Sequence, residues 1–241
     1  MASPPDIGSA DAIFVCAASF ADDSWDGCVR NDLVNTVAMY RIAEWAERLR
    51  CKHVVLASSA SAYVEQGLPA SSYGLSKTHG ADVLVWAGGK VGFTMTVLQL
   101  PQICDAKGGC VRHQPWFARI IARAASGADL RLAPNDQSRN FLHVRDAARA
   151  MIATWRAGLG GTHSLTSPEW LTYREIAAMA YTVFDVGGSV VDATEMKPFR
   201  TTNYPPPSRE AWALLGGERV SMRATLESIK VANTANKFAS A

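Results

Sequence analysis

His53-Val-Val-Leu-Ala-Ser-Ser-Ala-Ser-Ala-Tyr63, followed by Ser71-Ser-Tyr-Gly-Leu-Ser-Lys77, decides how this chain folds. The first stretch opens as a continuous apolar run and closes in hydroxyl side chains. Such a run suits a strand buried on both faces. The second stretch starts a helix, read from about Ser71 to Gly88, and sets Tyr73 and Lys77 four residues apart. On a helix that spacing puts the phenol and the ammonium on one face. A strand that delivers Ser59 to a helix carrying Tyr73 and Lys77 suggests a proton-transfer device for a carbinol or carbonyl. A phenol has an ordinary pKa near 10, too high for a base at neutral pH. A nearby ammonium favours the phenolate, so Lys77 is expected to lower Tyr73.

Outward from this core, the elements alternate. Ala12-Ile-Phe-Val-Cys-Ala-Ala18 is a short apolar strand, and apolar residues recur at helical spacing from Asp32 to Arg50. After the 53–61 strand and the Tyr73 helix comes Phe93-Thr-Met-Thr-Val-Leu-Gln-Leu100, a strand stopped by Pro101. The order β-α-β-α-β predicts parallel βαβ units, one half of a doubly wound sheet. Beyond Pro101 the pattern loosens. Helices are expected over 115–126 and 145–157, a short strand begins at Leu130, and Thr172-Tyr-Arg-Glu175 has the form of a capping box. The glycine pairs Gly88-Gly89, Gly108-Gly109 and Gly160-Gly161 read as turns or helix ends.

Bulk properties narrow the function. The chain has 241 residues, 48% hydrophobic and 19% charged, which is ordinary globular composition. Net charge is +2, and Arg112, Arg119, Arg123, Arg131 and Arg139 thicken the middle without forming a basic run. That argues against nucleic acid as a partner. No apolar stretch reaches the 18 or so residues of a membrane-spanning helix, and the N-terminus lacks the basic and apolar regions of a secretory signal. Five scattered cysteines show no metal spacing and read as reduced thiols of a cytosolic protein.

Four segments together resemble the extended short-chain dehydrogenase/reductases, the NAD-dependent epimerase/dehydratase family acting on nucleotide sugars. Leu56-Ala-Ser-Ser-Ala-Ser-Ala-Tyr63 is similar to that family's strand ending in Ser-Ser-x-x-x-Tyr, and Ser71–Lys77 to its Ser-Pro-Tyr-Gly-x-Ser-Lys. Asp11–Ala18 resembles the strand whose end borders the cofactor. Ser138-Arg-Asn-Phe-Leu-His-Val-Arg-Asp146 resembles Arg-Asp-Phe-x-His-Val-x-Asp. The resemblance implies an α/β fold: a partial doubly wound, Rossmann-like parallel sheet over residues 1–110. Residues 111–241 would form a small α/β substrate-binding region, with parts returning to the core. It implies Tyr73 as acid/base, Lys77 as activator and ribose contact, and Ser59 as hydrogen-bond donor to substrate. Ala17, Ala18, Ser58, Tyr73, Lys77 and Pro101 would meet NAD or NADP. Ser61, Gln102, Arg139 and Arg200 would meet a nucleotide-sugar substrate, with Arg139 on the diphosphate. His143 and Asp146 are expected to be structural, ordering their loop and the next helix.

The chain also departs from the family. The Gly-x-x-Gly-x-x-Gly that lets a pyrophosphate approach a helix N-terminus is not present, as if the first βαβ steps were missing. Weak dinucleotide affinity is therefore expected. A non-catalytic binding or regulatory protein, or an N-terminally truncated family member, stays open beside the enzyme. Gln102-Ile-Cys-Asp-Ala106 replaces the family's Asn-x-Tyr-Gly-Pro, and Ser59-Ala-Ser61 stands where dehydratases carry Thr-Asp-Glu, which leans toward epimerase or reductase. A sheet that begins at Ala12–Ala18 leaves that edge open, so a homodimer or a partner chain is expected there.

Overall fold

The computed structural model describes residues 7–134, 137–197, 199 and 203–239. In chain order the first elements are β1 (Ala12–Val15), α1 (Trp25–Asp32), a π-helical turn (Leu33–Val37), α2 (Ala38–Arg48), β2 (His53–Ser59), α3 (Ser72–Val91) and β3 (Thr94–Leu100). There follow β4 (Gln102–Cys104), α4 (Pro115–Ser126), β5 (Leu130–Leu132), β6 (Arg139–His143), α5 (Val144–Arg156), β7 (Gly161–Ser164) and β8 (Trp170–Leu171). The last are α6 (Tyr173–Phe184), β9 (Val190–Asp192), α7 (Arg209–Ala213) and α8 (Met222–Val231). The chain divides into two compact units.

The first unit comprises Met1–Leu100, Ala148–Thr166 and Asn203–Gly217. Its sheet has the order β1-β2-β3-β7, with every pair parallel. The register sets Val15 beside Leu56, and Leu56 beside Val97. Side chains alternate across a strand, so these residues share one face. There they pack with Met39, Ala43 and Ala46 of α2 and with Leu84 and Ala87 of α3. On the other face Phe14 meets Trp155 of α5 edge-on, with ring centroids 5.9 Å apart. A sheet covered on both faces needs continuous apolar strands, which is why β2 reads His-Val-Val-Leu-Ala without alternation. His53 is buried; its Nε2 lies 2.6 Å from Thr96 Oγ1, whose own proton goes to the Leu159 carbonyl. The imidazole is therefore the donor to Thr96.

This is the Rossmann-like parallel α/β fold expected from the alternation of elements. β1 stops at Val15 and β2 at Ser59, short of the expected Ala18 and Ser61, and three further details differ. The first helix begins at Trp25, seven residues early, because Ser24 caps it by accepting from Gly27 N–H. The helical run from 25 to 48 is broken by the π turn at Leu33–Val37. Gly88 and Gly89 lie inside α3, which runs on to a left-handed cap at Gly92. Packing of α3 on β2 and β3 outweighs the two glycines' low helix propensity.

The second unit comprises Pro101–Ala147, Ser167–Thr202 and Glu218–Ala241. β4 and β6 pair in parallel, β8 joins β6 antiparallel, and β5 pairs with β9 in parallel. Its core is Phe117, Ile120 and Ile121 of α4, Ile176 and Ala180 of α6, and Leu226 and Ile229 of α8. α4 matches its sequence expectation residue for residue, and α6 opens on the expected capping box between Thr172 and Glu175. His143 Nδ1 accepts from Arg145 N–H, and buried Asp146 accepts from Val220 N–H.

Candidate active site

The first unit builds its site at the carboxyl end of β2. The strand stops where Ser59 Oγ accepts from Ser61 N–H at 3.1 Å and turns the chain into a short 3-10 segment. α3 then starts on Ser71, whose hydroxyl accepts from Gly74 N–H. Gly74 is required there: a Cβ would stand 2.2 Å from the Ser61 carbonyl oxygen. Removing that one carbon lets the head of the helix lie against the strand's end, so Tyr73 reaches the Ser59 hydroxyl.

Ser59, Tyr73 and Lys77 come together as the spacing predicts. The Ser59 hydroxyl lies close enough to the Tyr73 phenol to act on its pKa, in the lowering direction. Lys77 is buried at 3% exposure, and its Nζ donates to the Ala57 carbonyl at 2.6 Å. The electrostatics differ from the sequence expectation. Burial raises the Tyr73 phenol above 10, and the nearby Ser59 hydroxyl opposes the shift without reversing it. Burial likewise pulls Lys77 down from 10.5 to about 8, with the Cys16 thiol acting in the opposite sense. The ammonium does not bring the phenol down, because desolvation penalises both charged forms and Lys77 is drawn to a carbonyl.

Two asparagines that the sequence reading passed over hold this helix. Asn31 Nδ2 donates to Ser72 Oγ and Asn35 Nδ2 to Ser76 Oγ, each at 3.0 Å. Thr36 Oγ1 adds a bond to the Ser76 carbonyl. Asn31 and Asn35 are spaced by four, as are Ser72 and Ser76, so the two helices meet as a two-rung ladder. The matched spacings were the available signal. Each serine precedes one of the pair Tyr73 and Lys77. A further neighbour, also missed, is Phe20, whose ring lies edge-on to Tyr73 at 4.7 Å.

Among the residues expected at the cofactor, Ala17 and Ala18 follow β1 and are exposed, and Ser58 is buried beside Gln99 in the register. Ser61 is exposed in the turn after β2. In the second unit Pro101 is buried at its start. There Gln102 and Arg139 both meet Tyr173. Gln102 Nε2 donates to Gln114 Oε1 at 2.7 Å and to Tyr173 Oη at 3.4 Å. The buried Arg139 guanidinium lies 5.3 Å from the Tyr173 ring centre and 5.7 Å from that of Phe199. Arg200 lies outside the described residues.

Residues 5–164 match the NAD dependent epimerase/dehydratase family, and the chain belongs to it. That family is NAD-dependent. Solved structures share the fold. UDP-N-acetylglucosamine 4-epimerase from Bacillus cereus aligns with a TM-score of 0.75 at 21% identity, covering 94% of this chain and 78% of its own. RMD from Pseudomonas aeruginosa, complexed with NADPH, aligns at 0.78 and 16% identity, covering 95% and 80%. WbmF from Bordetella bronchiseptica, in complex with NAD+ and UDP, aligns at 0.75 and 19% identity, covering 94% and 73%. No curated protein matches the chain.

The residues present fit the nicotinamide-ribose half of such a dinucleotide. Parallel α/β sheets take ligands beyond the carboxyl ends of their strands. There β1 is followed by two exposed alanines, which leave room, and β2 ends beside a phenol and an ammonium. Lys77 Nζ has three N–H donors and gives one of them to Ala57. Among the described residues, no strand-to-helix turn carries the glycine pattern of a pyrophosphate loop.

Proposed function

We propose that this chain is an NAD(P)-dependent enzyme acting on a nucleotide-linked sugar, of the epimerase or reductase type. The observation that carries the reading is the placing of the Ser59 hydroxyl beside the Tyr73 phenol at the end of β2, with buried Lys77 one helical turn on. The bound dinucleotide would supply hydride acceptance and donation. Tyr73 exchanges the proton of the reacting hydroxyl, Ser59 donates to the same oxygen and fixes its place, and Lys77 holds the ribose. A charged ligand beside Tyr73 and Lys77 would change the balance that burial alone sets in the free chain. Ser59, Ala60 and Ser61 bring no carboxyl group to the turn after β2, so the general acid that water elimination needs is not supplied there. This favours epimerase or reductase over dehydratase. Arg139 and Gln102 are assigned to the nucleotide diphosphate and sugar, and Arg200 to the phosphates. No helix among the described residues is long and apolar enough to cross a membrane. A cytosolic setting is proposed from the five free thiols.

Calorimetry with NAD(H) and NADP(H) on the purified chain tests this. Lys77→Ala is expected to weaken binding. Tyr73→Phe is expected to keep binding while cutting turnover of a nucleotide sugar by about 10²–10⁴-fold. No binding at millimolar cofactor would overturn the enzyme reading and favour a binding or regulatory role.

A further inference from the structure

Phe20 sits in the connection between β1 and α1 with 62% of its surface exposed. A single exposed aromatic residue is common and needs no explanation. This one is held unusually firmly. Ser19 N–H donates to Asn35 Oδ1 at 2.9 Å, and Asn35 Nδ2 donates back to the Ser19 carbonyl at 2.9 Å. Ala21 N–H donates to Asn31 Oδ1 at 2.8 Å, and Asn31 Nδ2 returns to the Ala21 carbonyl at 3.2 Å. Each carboxamide thus satisfies both backbone groups of one residue, as a neighbouring strand would. Phe20 is the residue between the two clamps. The second N–H of each carboxamide goes to Ser72 or Ser76. Both asparagines are buried, and the Asn35–Ser76 bond is buried with them. The ring and the phenol are therefore tied to one frame, edge-on to each other with ring centroids 4.7 Å apart.

Such a device fixes an apolar surface beside the reacting group and leaves most of it in water. Exposed apolar area favours burial when a ligand arrives. A pyranose offers hydroxyls at its rim and C–H bonds on its faces, and a C–H face suits an aromatic ring.

We infer that Phe20 is a specificity-determining residue of this site, which shields the Tyr73 hydroxyl from water and receives the C–H face of the sugar whose carbinol Tyr73 serves. The inference rests on the proposed enzyme reading for its ligand but not for its geometry. A dinucleotide ring or the nucleotide itself would be the wrong occupant.

Calorimetry with UDP-glucose, with UDP and with NADH, on the full chain and on Phe20→Ala and Phe20→Tyr, separates the cases. Phe20→Ala is expected to lose about tenfold in UDP-glucose affinity, the scale of roughly 50 Å² of apolar contact. UDP and NADH affinities should hold, and Phe20→Tyr should restore the sugar term. Equal loss for UDP or for NADH, or no loss for UDP-glucose, overturns the inference while leaving the enzyme reading intact. Absence of all three affinities in the unaltered chain overturns the enzyme reading and removes the sugar role with it. A second readout needs no ligand: ultraviolet titration of tyrosinate, taken as the difference from Tyr73→Phe. Opening the phenol to water in Phe20→Ala should move its titration to lower pH. An unmoved titration overturns the shielding role.

Discussion

Lys77 is charged in a place where its neighbours do little to keep it so. Its ammonium is buried at 3% exposure, and the carbonyl of Ala57 takes one of its bonds. Folding lowers its pKa from 10.5 to about 8. The unfolded chain thus holds the proton more tightly than the folded one. The stability cost is full below pH 8 and fades as pH rises from 8 toward 10.5. Replacing Lys77 with Met should stabilise the fold at pH 7 by about 1–3 kcal/mol while removing cofactor affinity. Urea midpoints at pH 7 and pH 10 measure this. The gain should shrink at the higher pH, and a loss of stability at pH 7 would contradict the account. Tyr73 has the opposite pH dependence: burial raises its phenol, so it is neutral in both states at pH 7 and costs stability only as pH rises past 10. At neutral pH it is therefore buried Lys77 that lowers the stability of this site.

At the scale of elements, the contact between the π turn and α3 matters most. A π turn spaces its carbonyls more widely than an α-helix and often marks a functional position. Here it pushes the Asn35 carbonyl toward α3, where only a glycine fits. A Cβ on Gly80 would lie 1.9 Å from that oxygen. Gly80→Ala should therefore cost about 1–3 kcal/mol or more, despite alanine's better helix propensity. Chemical denaturation reads the loss. A stabilised Gly80→Ala would mean that the close approach is not maintained in solution. The same shift should disturb the rungs from Asn31 and Asn35 to Ser72 and Ser76. Turnover is then expected to fall together with stability, although Gly80 touches no ligand. In the second unit the comparable convergence is of Gln102 and Arg139 on Tyr173, a residue whose place follows from the capping box that starts α6.

At the scale of the molecule, the outer strand of the first sheet is β1, with four residues and β2 as its partner among the described residues. An open edge offers unpaired N–H and C=O groups to another chain. Self-association through this strand is the expected outcome, read as a concentration-dependent mass in sedimentation equilibrium. A monodisperse monomer at high concentration would count against it. A larger apolar exposure lies on the helices, where Trp25, Val29 and Leu33 repeat every four residues and are 88%, 59% and 51% exposed. Leu33→Glu distinguishes the two surfaces. Association that survives it belongs to the strand edge, and association that it abolishes belongs to the helical face.

The sequence alone determined the parallel α/β order and the placing of Ser59 and Tyr73 together, with Lys77 one turn further along the helix. Those features follow from local periodicity and from i,i+4 spacing, which a backbone of fixed pitch turns into geometry. The helical reading of 32–50 missed its π turn, and Gly88-Gly89 suggested a helix end that α3 passes through. Tertiary structure decided these, because the π turn packs against α3, and α3 against β2 and β3, and that packing outweighs local preference. It also decided the direction of the Tyr73 shift. Spacing placed an ammonium near the phenol, but the degree of burial set which charge state is favoured. The clamps that Asn31 and Asn35 place around Phe20 depended on tertiary structure in the same way. They join residues 10 to 41 positions apart, and only the folded chain brings those backbone groups within hydrogen-bonding reach.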